Sequence, residues 1–239
     1  MLKGLFVNKA GMLAQQRRLD VAANNLANLN TIGFKKERVF FRRLLEAMAN
    51  PVEDNNRAPG TTRLDFSQGT LKETGNPLNV AIDGSGFFVI QTEQGTFYTR
   101  NGAFQLDGEG RLVTADGYPV ATDGGEVQIS GGSARITEKG DILVDGQTVG
   151  RLRIVDFDDP QLLKPVGSTH FSLGDATEKE LTAEEINLRP GYLETSNVDP
   201  ISEMITLIEV NREYEMAQKS IHTQDSSLDK LINQAGRTT

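Results

Sequence analysis

The sequence predicts an α+β chain in which long N- and C-terminal helices pair as a coiled coil around a central all-β domain. Three observations carry that expectation. Apolar residues recur every seven positions at each end. Asp-Gly and related turn pairs punctuate the middle at short intervals. Most of the 24 glycines fall between Gly60 and Gly191, leaving the ends nearly glycine-free.

At the N-terminus the seven-residue row is Leu5, Met12, Leu19, Leu26, with a second row at Asn8, Gln15, Ala22, Leu29. This narrow seam predicts a long amphipathic helix. The run Asn28-Leu29-Asn30-Thr31-Ile32-Gly33-Phe34 breaks it, because Gly and Asn tolerate left-handed backbone. Residues 35–49 are helix-permissive, and Asn50-Pro51 with residues 55–60 reads as loop.

Residues 64–155 predict many short strands. Phe87-Phe88-Val89-Ile90-Gln91, Thr96-Phe97-Tyr98-Thr99-Arg100 and Arg111-Leu112-Val113-Thr114 are apolar or β-branched runs. Asp107-Gly108, Asp116-Gly117, Asp123-Gly124 and Asp145-Gly146 are the turns that divide such runs. Turn pairs between short apolar runs, spaced about 8–12 residues apart, argue for an all-β body rather than βαβ units. Residues 159–190 read as irregular loop.

Asp199 followed by Pro200 is a helix start, with the carboxylate as N-cap and Pro at the first helical position. Leu207, Tyr214, Ile221 and Leu228 then recur every seven, beside Val210, Ala217, Gln224 and Leu231. The expected organisation is a helical assembly segment at 1–50, a linker at 51–64, a β domain at 65–192 and a second helical segment at 193–239.

Composition bounds the function. A formal net charge of −8 argues against nucleic acid or an anionic membrane as the partner. The charge is uneven: Arg17, Arg18, Lys35, Lys36, Arg38, Arg42 and Arg43 make an N-terminal basic stretch, and Glu178, Glu180, Glu184 and Glu185 an acidic one. Solvated faces are the plain reading of both, and charge matching between subunits the sharper one. Zero Cys excludes disulfides and thiolate chemistry. The N-terminus lacks the apolar core and cleavage site of a secretory signal, so any export is expected to leave it intact.

No constellation for catalysis or metal binding emerges, and no cofactor or small-molecule substrate is expected. Gly84-Ser85-Gly86 is too tight for a nucleophile elbow and no helix follows it. Asp107-Gly108-Glu109 lacks the further acidic ligands of a calcium loop. His170 and His222 lie in different segments. The carboxylate pairs Asp158-Asp159 and Glu184-Glu185 read as solvated loop.

Longer motifs carry a resemblance. The block Gly11-Met12 through Leu19-Asp20-Val21, Ala23-Asn24-Asn25-Leu26-Ala27-Asn28, Asn30-Thr31 and Gly33-Phe34-Lys35 resembles the N-terminal signature of the flagellar rod and hook axial proteins. Gly191-Tyr192-Leu193-Glu194, Ser196-Asn197-Val198-Asp199 and the stretch from Met204 to Met216 are similar to that family's C-terminal signature. The middle, Thr74-Gly75-Asn76-Pro77 through Phe87-Phe88 and Tyr98-Thr99-Arg100-Asn101-Gly102, resembles the body shared by rod proteins.

The resemblance implies a non-enzymatic subunit of the basal-body rod, exported unprocessed by the flagellar type III apparatus. Its expected partners are copies of itself and other rod and hook axial proteins. The expected assembly interface is Leu5, Met12, Leu19, Asn24, Asn25, Leu26, Asn28, Leu207, Val210, Tyr214, Ile221, Leu228 and Leu231. The four Asn residues at 24, 25, 28 and 30 either cap and turn the chain or fix register between helices. Within the family, the short connection after Asn50 and the ending from Leu228 lean toward proximal-rod members, while Ser196-Asn197-Val198 fits distal-rod members as well. The competing class is a secreted β-domain scaffold whose helices only form a small closed oligomer.

Overall fold

The computed structural model describes residues 2–40, 61–125, 127–129 and 131–235, with the side chains of 2–10, 61, 224, 225 and 227–235 outside the description. In chain order the helices are α1 Leu2–Ala27 and α2 Pro200–Ala235. The strands are β1 Glu37–Phe40, β2 Thr61–Leu64, β3 Leu71–Glu73, β4 Val80–Ile82, β5 Phe87–Thr92, β6 Gly95–Thr99, β7 Phe104–Leu106, β8 Leu112–Thr114 and β9 Ala134–Ile136. They continue as β10 Asp141–Val144, β11 Gln147–Arg151, β12 Ile154–Phe157, β13 Lys164–Val166, β14 His170–Ser172, β15 Glu178–Glu180, β16 Leu188–Pro190 and β17 Tyr192–Glu194.

The expected α+β class with a terminal coiled coil is therefore corrected. Among the described residues the chain is mainly β, with two helices against these seventeen strands, and no long coiled coil runs along the helices. The physical reason lies in the rows themselves. Asn8, Gln15 and Gln224 interrupt the second row of each seam, and a coiled coil needs apolar residues sustained at both core positions. A second correction concerns residues 35–49: Glu37–Phe40 is a strand, not helix, and 41–49 lies outside the described residues.

The described chain falls into two compact units. The first holds 1–27, 37–63 and 199–239, and the second holds 28–36 and 64–198.

The second unit is built on a six-stranded antiparallel sheet ordered β13-β14-β6-β5-β12-β15. In its centre the run Phe87-Phe88-Val89-Ile90 is buried throughout. Side chains alternate across a strand, so such a run has both of its faces covered. Phe88 and Ile154 join one apolar cluster with Val80, Ile82, Phe104, Leu112, Ile142 and Leu188. Phe87, Val89, Val155 and Phe157 join the other with Tyr98, Leu163 and Phe171. There the rings meet edge-to-face: Phe87 lies 5.5 Å from Phe157 and 5.8 Å from Phe171, and Tyr98 lies 4.9 Å from Phe157. Both edges of the sheet are poor pairing templates. β13 carries Pro165, and β15 is Glu178-Lys179-Glu180.

The Asp-Gly signals do what their chemistry dictates. Asp145 (φ 49°) and Gly146 (φ 86°) form the two-residue turn between β10 and β11, where Val144 faces Gln147. Two consecutive positive φ values are the type I′ turn that suits strand twist. Asp107 instead folds its own loop, its Oδ1 accepting from the amides of Glu109 and Arg111. Gly33, at φ 72°, ends the turn after α1 and passes so close to Asn101 that a Cβ would sit 2.5 Å from its amide nitrogen.

Candidate assembly interface

The second helix of the first unit begins as its sequence directs. Asp199 caps α2: its Oδ1 accepts from the Ile201 amide at 3.2 Å and its Oδ2 from the Ser202 hydroxyl at 2.5 Å. The stretch leaving α1 is hydrogen-bonded to the stretch entering α2, through Gly33 N to Glu194 O (2.8 Å) and Lys36 N to Asn197 Oδ1 (2.8 Å). Two helices side by side from such a junction run antiparallel. They touch where Arg18 Nη1 meets Glu213 Oε2 at 3.0 Å, and Val21, Ala22 and Val210 are buried. The Arg18–Glu213 pair is partly exposed and of small energetic weight.

The sequence-derived interface residues separate on this geometry. Val210 is fully enclosed, and Met12, Leu19, Leu26, Leu207, Tyr214 and Ile221 are half-buried. The side chains of Leu5, Leu228 and Leu231 lie outside those described. Asn25 is buried and bonded within the chain: its Nδ2 donates to the Glu37 carbonyl at 2.9 Å, and its Oδ1 accepts from the Glu37 amide at 2.9 Å. A side-chain amide here acts as a strand would, satisfying both polar groups of the first residue of β1. Asn24, exposed, reaches the Glu37 carboxylate at 3.5 Å. Asn28 turns the chain, accepting from the Thr31 hydroxyl and amide at 3.1 Å each. Of the Asn block, Asn28 serves the turn after α1, while Asn25 ties α1 to β1, a role neither reading foresaw.

Sequence reasoning missed a buried charge cluster. Lys35, read as part of a solvated basic stretch, has a fully enclosed side chain and meets Glu194 Oε1 at 2.7 Å. It also donates to the Ser67 carbonyl at 2.8 Å. Glu194 Oε1 accepts in addition from the Gly69 amide at 2.9 Å, and its Oε2 faces Arg100 Nη1 at 3.4 Å. Arg100 donates to the Gly84 carbonyl at 2.8 Å, and its guanidinium sits 5.1 Å from the Phe87 ring centroid. Burial holds the Lys35 ammonium below its ordinary pKa, against the pull of the Glu194 carboxylate. Lys35 and Glu194 each lie inside a terminal signature, and that co-occurrence was the available signal.

The other chemistry-bearing residues have quieter places. Ser85 donates to Asp156 Oδ2 at 2.6 Å. His170 Nε2 lies 3.6 Å from Asp116 Oδ2 and its ring meets Tyr118 edge-on at 5.8 Å, on the wall of a half-open cavity of about 610 Å³. No cluster of three metal-ligating side chains occurs among the described residues.

Known families match at both ends and in the centre. Residues 8–35 match the family described as flagella basal body rod protein. Residues 81–145 match the flagellar hook protein FlgE/F/G D1 domain, and 189–234 the flagellar basal body rod FlgEFG protein C-terminal family. The flagellar basal-body rod protein FlgG of Buchnera aphidicola subsp. Schizaphis graminum is 35% identical, over 97% of this chain and 99% of the relative. FlgG of Borreliella burgdorferi is 36% identical over 95% and 97%. FlgF of Mesorhizobium japonicum is 31% identical over 99% of both chains.

The chain belongs to the flagellar basal-body rod protein family.

As a member of that family it is a structural subunit of the flagellar rod, and its place is the basal body. For a rod protein the Lys35–Glu194–Arg100 cluster has a plain mechanical meaning. Within the second unit it ties the segment that follows α1 to the segment that precedes α2.

Proposed function

We propose that this rod subunit joins its neighbours through the unit that contains both helices, and that it works by holding other axial subunits rather than by catalysis. It reaches the basal body through the flagellar type III export apparatus with its N-terminus uncleaved. Its partners are copies of itself and other rod and hook axial proteins.

One observation carries this reading. Both apolar clusters lie in the second unit, whereas the first encloses only Val21, Ala22 and Val210 among its described apolar side chains. Helices with so little covered surface are marginal alone and are completed by surfaces from outside the chain. The half-buried residues Met12, Leu19, Leu26, Leu207, Tyr214 and Ile221, with Leu5, Leu228 and Leu231 in the same rows, are assigned to that completion.

The test places Leu19→Asp and Ile221→Asp in a host lacking its own copy. The expected result is a protein whose β unit melts normally and which is exported, yet is missing from purified basal bodies, so the cells do not swim. Normal incorporation of both variants would remove these residues from the interface.

The proximal-rod position is favoured within the family, because the match to FlgF spans 239 aligned residues without excess length on either side. The distal position is the second reading, supported by identities of 34–36% to several FlgG relatives. Labelling the chain in isolated basal bodies and locating it along the axis separates the two.

A further inference from the structure

Four short strands near the two ends of the second unit pair only with one another. Among the described residues β3 has β17 as its one ladder partner and β4 has β16, each pair a two-stranded antiparallel sheet. The six-stranded sheet, by contrast, is drawn wholly from the residues between them, from β5 to β15.

The late stretch 187–197 also takes amides from the whole front of the unit. Gly33 N donates to Glu194 O at 2.8 Å, and Lys36 N to Asn197 Oδ1 at 2.8 Å. Gly69 N donates to Glu194 Oε1 at 2.9 Å. Thr74 N donates to Gly191 O and Asp83 N to Asn187 O, at 2.8 Å each. In return Gly191 N donates to Asn79 O at 2.7 Å and Thr195 N to Thr70 O at 2.9 Å. The Asn197 amide donates to the carbonyls of Asp65 and Ser67, at 2.7 and 3.0 Å. The approach is close: a Cβ on Gly69 would collide with the Thr195 carbonyl oxygen.

Without 187–197 the front of the unit loses the acceptors of these five amides and both of its strand ladders. A strand of three residues does not hold its shape unpaired. Contacts this distant in sequence also form late, because the chain between them must be closed into a loop first. Lys36 and Asn197 are 161 residues apart.

We propose that residues 187–197 are a latch, and that 33–36 and 65–83 take up their structure only once it is present. A chain is synthesised from its N-terminus. The subunit therefore stays open at its N-terminal signature until its C-terminal signature has been made. In a subunit that leaves the cell through an export apparatus, a late latch shortens the interval in which a closed molecule exists before export. That consequence rests on the export reading given above; the latch itself does not.

The test starts from the full chain, with a protease recognition sequence inserted between Glu184 and Glu185, both exposed. After cleavage the two pieces are expected to stay together, with the amides of Gly33, Lys36, Gly69, Thr74 and Asp83 still protected from hydrogen exchange. The larger piece, separated in denaturant and returned to buffer, stands for the chain before its latch is made. All five amides are expected to lose protection in it, and adding the smaller piece is expected to restore the five together. Protection of Gly33, Thr74 or Asp83 in the larger piece alone would overturn the proposal.

The uncut chain provides a second measurement. In low urea the five amides are expected to open as one group with a shared urea dependence, and unrelated dependences would overturn the latch without any cleavage. Absence of the chain from purified basal bodies would remove the export consequence along with the reading behind it. The exchange results, read on purified protein, decide the latch independently of that outcome.

Discussion

Lys35 and Glu194, 159 residues apart in sequence, form an ion pair at 2.7 Å with side chains 0% and 1% exposed. Glu194 serves two cations, since Arg100 lies on its other oxygen. Breaking such a pair from one side is costly because it leaves charge enclosed without compensation.

Glu194→Gln strands both Lys35 and Arg100 and is expected to lose about 3–5 kcal/mol of stability. Lys35→Met leaves the carboxylate with Arg100 and the Gly69 amide, so its loss is expected to be smaller by at least about 1 kcal/mol. Urea denaturation of the two variants, followed by the near-ultraviolet signal of the ring cluster, gives the order. Equal losses would mean that Arg100 takes no share of the carboxylate.

Gly33→Ala is expected to cost more than about 2 kcal/mol, from left-handed strain plus the collision with the Asn101 amide. Gly146→Ala has the same kind of backbone, at φ 86°, but open space around its Cβ, and is expected to cost only about 1 kcal/mol. Thermal melting of both proteins measures the difference, and a reversed order would show that the turn after α1 is not pinned against Asn101.

Asn25→Ala removes both hydrogen bonds to the Glu37 backbone and is expected to cost about 1–3 kcal/mol. Local loss should precede global loss: the Glu37 amide is expected to exchange with solvent far faster while the amides of β5 keep their protection. Unchanged exchange at Glu37 would assign that amide another partner.

How much of this was legible in the sequence varies with distance along the chain. Turns, the Asp199 cap and the two helices are local, governed by residues within a few positions, and the sequence reading placed them. Lys35 was misread because its fate depends on Glu194 and Arg100, which no local pattern connects to it. Glu37–Phe40 was misread for the same reason. Its helix-permissive residues become strand because the Asn25 amide and β2 satisfy its backbone from elsewhere in the chain. The seven-residue rows located the helices but overstated their pairing, since a limited side-by-side contact produces the same period. The exposed row Ile201, Met204, Ile205 and Ile208 falls off the seven-residue rows, so periodicity did not mark it, and three of its members stood out only within the family signature.

His170 supplies a pH prediction. Burial lowers its pKa below 6.5, with Asp116 opposing. The fold therefore disfavours the imidazolium, and on acidification the unfolded chain binds the proton first. Stability is then expected to fall as pH drops below about 6.5 and to level off once the folded pKa is passed. The Tm of the parent is expected to decline between about pH 7 and 5.5, and that of His170→Gln to decline less over the same interval. Parallel curves for the two proteins would leave His170 without a part in the acid response.

Pro165 in β13 and the Glu178-Lys179-Glu180 stretch of β15 guard the two margins of the central sheet. In a rod, subunits stand side by side at a local concentration far above that of any dilute solution. An unguarded strand margin there would be an invitation to cross-β growth, in which one β body templates the next and the array hardens in the wrong geometry. Proline at one margin and the alternating charges at the other keep one β body from being zipped onto the next, strand to strand, in a crowded shaft.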